Sequence, residues 1–337
     1  VWVVVTGNVM AWLIQYLSAK LGIVTGLSLP EALGQRFRRR PARLAYWGQA
    51  ELVAMATDVA EVIGGAVALY LLFDLPLVVG GVITGVVSML LLVVQSRRGG
   101  VRIFERVITG LILVIVVGFC AGLVIGPPDP AAAAAGLVPR FDGVESVLLA
   151  ASILGATVMP HAIYAHSALT RDRFGQVAAG AGRRTVLRAT RIDVTIALVI
   201  AGSVNVVMLL LAAANLQGVE GTDTLEGAFA ALAASLGPAV AVLFAIGLLA
   251  SGLASTSVGA YAGAEIMHGL LRVRIPLLVR RAITIAPALA LLAFGVDPTL
   301  ALVLSQVVLS FGIPFALIPL VRLTADRALM GESVNRM

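Results

Sequence analysis

The chain is 337 residues long, 60% hydrophobic and only 12% charged, with a mean hydropathy of +1.02. A soluble domain carries roughly 25% charged residues, so this composition excludes a water-soluble globule and predicts a polytopic membrane protein. The net charge of +6 sits in short loops between apolar runs, as membrane topology requires, which argues against a nucleic-acid partner. The single Cys120 excludes an internal disulfide and a Cys-rich metal centre.

Apolar runs of about 20 residues, long enough to cross a bilayer as helices, predict nine spans: 1–22, 45–73, 76–95, 104–126, 145–169, 190–216, 227–256, 277–295 and 299–322. The first leads into Arg36, Arg38, Arg39, Arg40 and Arg43. In the second, Asp58 and Glu61 stand at i and i+3, on one helix face, within the apolar stretch 55–72. Carboxylates inside a span are costly and usually face a bundle interior, where they line ion or proton paths. The alternative is a structural pair bonded to neighbouring Ser, Thr or backbone groups. Glu51 lies near the start of the same span, and Arg280 and Arg281 open the eighth span at the same membrane side. A Glu51–Arg281 pair is therefore expected as a proton exit or intracellular gate, unless the arginines merely obey the positive-inside rule.

Arg97, Arg98 and Arg102 follow the third span, and the segment 127–143, with four prolines and an alanine run, reads as an external linker. The fifth span carries Gly155-Ala156-Thr157-Val158-Met159-Pro160-His161 at about mid-depth. A bilayer offers no water to backbone groups, so a helix interrupted there survives only where it is buried in protein or lines a cavity. Broken helices at the midplane are a recurring way to build ion sites. Pro160 releases the carbonyl of Ala156 as an oxygen ligand, and the Met159 thioether is a soft ligand that favours transition metals over Mg²⁺ or Ca²⁺. His161 and His166 titrate near neutral pH and suit ligation or proton relay. The alternative is a plain proline kink with Met159 filling core space.

Arg171, Arg173, Arg183, Arg184, Arg188 and Arg191 follow this span, and Asn205 lies in the next. Glu265 and His268, beyond the seventh span, are expected to be solvated. Gln306 lies in the ninth span ahead of Pro314 and Pro319; its amide oxygen suits a metal or a helix-to-helix hydrogen bond. The arginine-bearing loops alternate with loops holding Asp74, Asp129, Asp142, Glu145, Glu220, Asp223, Glu226 and Asp297, where Arg140 is the one basic residue. Positive loops stay cytoplasmic, which places residue 1 outside and residue 337 inside. That orientation, with no signal peptide, leads us to expect a further span upstream of Val1. There is no HExxH, Cys pair or P-loop, so no enzyme motif is evident.

These residues resemble a known family. G-A-T-V-M-P-H at 155–161, continuing to His166-Ser167, is similar to the sixth-helix signature of the Nramp/MntH divalent metal transporters. T-D-V-A-E-V-I-G at 57–64 resembles their third helix, S-G-L-A-S-T-S-V-G-A-Y-A-G at 251–263 their eighth, and S-Q-V-V-L-S-F-G-I-P at 305–314 their tenth. The resemblance implies an all-α, LeuT-like bundle of two inverted five-helix repeats in one transmembrane domain, with 1–126 the remainder of the first repeat and 145–322 the second. It implies proton-coupled import of Mn²⁺ or Fe²⁺ across the cytoplasmic membrane, with metal ions and protons as cargo and no cofactor. The Ala156 carbonyl and Met159 sulfur would be metal ligands, joined by Gln306 in some conformations. Asp58, Glu61, His161 and His166 would lie along the proton route, with Glu51 and Arg281 at its cytoplasmic end. Ala162 and Ala264 depart from the Asn and Gln common there, and the family's D-P-G-N helix, which adds an Asp and an Asn to the metal, is not within 1–337. Another LeuT-fold substrate, such as an amino acid, or a nontransporting scaffold or sensor are the other readings.

Overall fold

The computed structural model describes residues 1–96, 106, 109–110, 113, 116–117, 127–273 and 275–335. The expected fourth span, Arg97, Arg98, Arg102, Cys120, Arg274 and Arg336 lie largely or wholly outside them. The described residues are helical, with no strand among them. In chain order the helices are α1 (Trp2–Thr25), α2 (Leu29–Arg36), α3 (Arg40–Phe73), α4 (Leu77–Ser96), α5 (Pro130–Ala135), α6 (Gly143–Thr157), α7 (Pro160–Phe174), α8 (Ala181–Asn215), α9 (Leu225–Leu236), α10 (Pro238–Leu271), α11 (Leu277–Ala293), α12 (Pro298–Thr324) and α13 (Arg327–Met330).

Six of the described stretches, of 24–35 residues, are long and apolar enough to cross a membrane; α6 and α7 together form one of them. Their outward faces carry apolar side chains such as Val9, Leu52, Val199 and Phe311, all more than half exposed. That pattern suits lipid, and the chain is an integral membrane protein. One expected span differs. The apolar run 227–256 is not a single helix: Gly237, at φ 93°, separates α9 from α10. Glycine reaches this left-handed region without the Cβ penalty of other residues. Thr224 caps α9 through Gly227 N–H, Pro238 opens α10 at a position that needs no N–H, and α10 then runs on to Leu271. Arg183, Arg184 and Arg188, expected in a loop, belong to the first turns of α8.

The basic segments gather at one end of the bundle. Val177 N–H donates to the Ile23 carbonyl at 3.0 Å, Arg36 pairs with Asp326, and Arg171 reaches Glu31. At the other end Trp2 N–H donates to the Gly136 carbonyl and Leu225 N–H to Thr299 Oγ1. Two apolar cores lie between. One joins α1, α2, α7 and α12 through Ile14, Leu21, Leu29, Tyr164 and Leu320. The other joins α3 to α11 through Val62, Ile63, Ile285 and Ala288. Within α12, Pro319 deprives the Phe315 carbonyl of its helical donor; Tyr46 Oη donates to it instead at 2.6 Å.

Candidate functional site

The break in the fifth span follows from local chemistry. The ring of Pro160 disfavours helical backbone at the preceding residue, and Met159 is extended, at φ −74° and ψ 117°. Val158 N–H still closes onto the Leu154 carbonyl at 2.8 Å, so α6 ends cleanly at Thr157. Pro160 then occupies the first position of α7. Because Pro160 has no N–H, the Ala156 carbonyl has no i+4 helical donor. The carbonyl end of α6 carries a partial negative charge that favours a cation at the break. Ala156 is exposed and Met159 half-buried, whereas Val158, Pro160 and His161 are buried.

The last spanning helix closes against this break. Gly155 packs directly on the backbone of Gln306 and Ser310, and a Cβ there would overlap the Gln306 carbonyl. The glycine thus sets how near α12 comes to Ala156 and Met159. The amide oxygen of Gln306 is buried without a hydrogen-bond partner, a state that costs an acceptor about 1–3 kcal/mol. Among the described residues no group of three or more His, Cys, Asp or Glu could hold a metal. The groups that the break itself offers are a thioether and a freed carbonyl, both neutral, and the unsatisfied amide oxygen of Gln306 belongs to the helix packed against it.

A second polar region lies along α3. Arg281 is fully buried and pairs with Asp58, which is 2% exposed; its Nε also donates to Ser88 Oγ of α4 at 3.2 Å. Glu61 is hydrogen-bonded by Ser255 Oγ of α10. Gly259, one turn along α10, lets that helix approach both acids: a Cβ there would sit 3.7 Å from Asp58 Oδ1 and from Glu61 Oε2. Two turns earlier on α3, Glu51 Oε1 accepts from Arg280 Nη2 at 2.6 Å. The expected Glu51–Arg281 pair is thus replaced by two pairs, Glu51–Arg280 and Asp58–Arg281. Consecutive helix residues project about 100° apart, so the two guanidinium groups reach different levels of α3. The Arg280 guanidinium lies flat on Gly263, where any side chain would collide with it.

His161 joins the α3 region through Thr57. The Thr57 hydroxyl donates to the Val53 carbonyl at 3.1 Å and lies 3.0 Å from His161 Nδ1. Thr57 and Glu61 share a face of α3, four residues apart. His166 stands apart: its Nδ1 lies 2.8 Å from Gln15 Oε1 on α1.

At the arginine-rich end Arg171 of α7 binds Glu31 at 2.6 Å, Asp172 at 2.7 Å and Glu265 at 3.1 Å. Glu265, expected to be solvated, is therefore an internal ion-pair partner. Burial by itself raises the Glu31 carboxyl pKa, but the Ser28 backbone N–H and the Arg171 guanidinium outweigh it and hold the group below its ordinary value. A cavity of about 390 Å³ lies here, lined by Arg171, Glu265, His268 and Arg280 among others. It reaches the lower end of the α3 polar line at Arg280. Sequence reasoning missed Thr57, Ser88, Ser255 and Arg171, whose small or loop-like signals acquire meaning only from their partners.

The family model described as natural resistance-associated macrophage protein-like matches residues 1–337. The chain belongs to the Nramp family. The divalent metal cation transporter MntH of Mycobacterium tuberculosis is 64% identical over 334 residues, covering 99% of this chain and 78% of that protein. The MntH of Bacillus subtilis is 49% identical over 340 residues, covering 99% and 78%. A crystal structure of the Eremococcus coleocola manganese transporter matches with a TM-score of 0.86 at 31% identity, over 100% of this chain and 74% of that one. This Nramp chain therefore has the LeuT-like helical fold of that transporter.

Proposed function

We propose that this protein imports divalent transition metal ions, Mn²⁺ or Fe²⁺, across the cytoplasmic membrane, driven by protons and working by alternating access. The observation that carries this reading is the interrupted helix at Val158 and Met159, which supplies a thioether and a freed carbonyl next to Gly155, where the backbone of Gln306, a residue with an unsatisfied amide oxygen, packs. Soft sulfur selects transition metals against Ca²⁺. The Ala156 carbonyl and Met159 sulfur are the assigned metal ligands, with Gln306 joining as α12 and the break approach one another.

The proton route in this reading runs from His161 past Glu61 and Asp58 to Arg281, Arg280 and Glu51, and on to the arginine-lined cavity. Arg280 enters the route as the partner of Glu51. His166, on the α1 side, is assigned to the opposite approach of the same path. The positive-inside rule puts residue 1 outside and the basic loops in the cytoplasm, with 1–126 and 145–322 belonging to the two inverted repeats.

Uptake into liposomes tests the metal assignment, using the protein expressed from its complete reading frame. Met159→Ala is expected to lose the preference for Mn²⁺ over Ca²⁺ while remaining folded. An unchanged preference would remove the thioether from the site. Competition with amino acids, expected to have no effect, separates this reading from that of another LeuT-fold substrate.

A further inference from the structure

The groove between α1 and α8 has a built polar end and an apolar length. It encloses about 710 Å³ and is lined by Val5, Val9 and Trp12 on one side and Val199, Ser203 and Val206 on the other, among others. Gly202 deepens its floor; a Cβ there would come within 2.9 Å of Asn8 Nδ2. The polar groups of the floor satisfy one another. Asn8 Nδ2 donates to the Gly202 carbonyl at 3.1 Å, Asn205 Nδ2 to Asn8 Oδ1 at 3.2 Å, and Trp12 Nε1 to Thr195 Oγ1 at 2.8 Å. What remains is hydrocarbon. From Thr195 to Val207 the helix rises about 18 Å, close to the depth of one leaflet of a hydrocarbon core about 30 Å thick.

At its Thr195 end the stripe of α8 that forms the groove continues into Arg191, Arg188 and Arg184, at helical spacing. All three are exposed, and among the described residues none has a carboxylate partner. Asp193 projects about 200° round the helix from Arg191. The Arg191 guanidinium lies 5.7 Å from the Trp12 ring centre and 5.9 Å from that of Tyr16, which holds it over the mouth of the groove. Unpaired arginines at a membrane surface attract anionic headgroups. They repel the ammonium of a zwitterionic one.

We propose that this groove binds an anionic phospholipid, with one acyl chain along Trp12, Val199 and Val206 and the phosphate between Arg188 and Arg191. The lining of the groove includes none of the residues assigned to the metal or the proton route, and the proposal does not depend on which ion is carried.

Trp12 reports on its own groove. The protein is reconstituted in dioleoyl phosphatidylcholine with a rising fraction of phosphatidylglycerol or phosphatidylcholine brominated in the acyl chains. Trp12→Phe isolates the Trp12 signal from those of Trp2 and Trp47. The brominated anionic lipid is expected to quench Trp12 at about fivefold lower mole fraction than the neutral one, the factor one surface arginine supplies. R188Q/R191Q, which removes two exposed groups without carboxylate partners and with them the ring contacts of Arg191, is expected to bring the two lipids level. Ser203→Phe, which fills the groove, is expected to do the same with every arginine in place. Equal quenching in the unaltered protein, or a preference that survives R188Q/R191Q, overturns the proposal. Shielding of Trp12 from both lipids also overturns it and places protein, such as a second copy of the chain, in the groove.

Discussion

The two polar regions inside the bundle are built by opposite means. Around Asp58, charges stand on unbroken helices and are answered by other charges from α11. At Met159 the polarity comes from neutral groups, a thioether and backbone released where α6 stops and α7 begins. A buried ion pair holds its helices at one separation, because losing either partner strands a charge. A thioether and a carbonyl carry no such obligation and tolerate a change of partner at modest cost. The contrast separates α3, α4, α10 and α11, tied together at buried charges, from the α6–α7 break, to which the proposed metal binding is assigned.

The sharpest way to break this contrast is to remove a charge from the scaffold. Arg281→Ala leaves Asp58 buried and uncompensated, and a loss of about 3–5 kcal/mol is expected, read as a lower melting temperature in detergent. Asp58→Asn with Arg281→Met is expected to recover most of that loss. Failure to recover would mean that Arg281 acts through packing and not through its charge. Arg280→Ala should cost less, since Glu51 keeps 15% of its side-chain surface exposed.

Gly155→Ala probes the other region. Its Cβ would overlap the Gln306 carbonyl and push α12 from the break, at a cost of about 1–3 kcal/mol. Metal uptake is expected to fall with it, and wild-type stability and uptake together would show that the contact has slack. Asp58→Asn alone keeps a hydrogen-bonding partner for Arg281 while removing the titratable group. Uptake in that variant is expected to lose its dependence on a pH gradient, and an intact dependence would take Asp58 off the proton route.

The smallest effect is expected outside the spans. The Glu31 carboxyl is held below its ordinary pKa, so its contribution is present above the unfolded value and disappears as pH falls through the folded one. Glu31→Gln, which can keep the capping box but loses the charge facing Arg171, should therefore destabilise the protein by about 1 kcal/mol or less near neutral pH, the scale of a partly exposed ion pair. The gap between variant and wild type should close as pH falls below the ordinary glutamate range. A gap that widens in acid would show that Arg171 is not the partner that matters.

Much of this was legible in the sequence. The break at Pro160 depends on a missing N–H and a ring clash, both covalent facts of adjacent residues. The shared face of Asp58 and Glu61 follows from helical spacing alone. The division of 227–256 at Gly237 was less legible, because an apolar run registers hydrophobicity and hides a backbone turn. Glu265 was misplaced because position near a helix end says nothing of an arginine more than 90 residues earlier.

Composition, apolar run length and the proline were enough to determine a helical membrane protein with one span broken at mid-depth, since lipid enforces internal hydrogen bonding on every chain that crosses it. Tertiary structure alone decided that Asp58 takes Arg281 while Glu51 takes Arg280, and that Gln306 lies against Gly155. Those partners are about 150 to 230 residues apart. Adjacent arginines differ only in the direction they project, and it is the packing of whole helices that turns a direction into a contact.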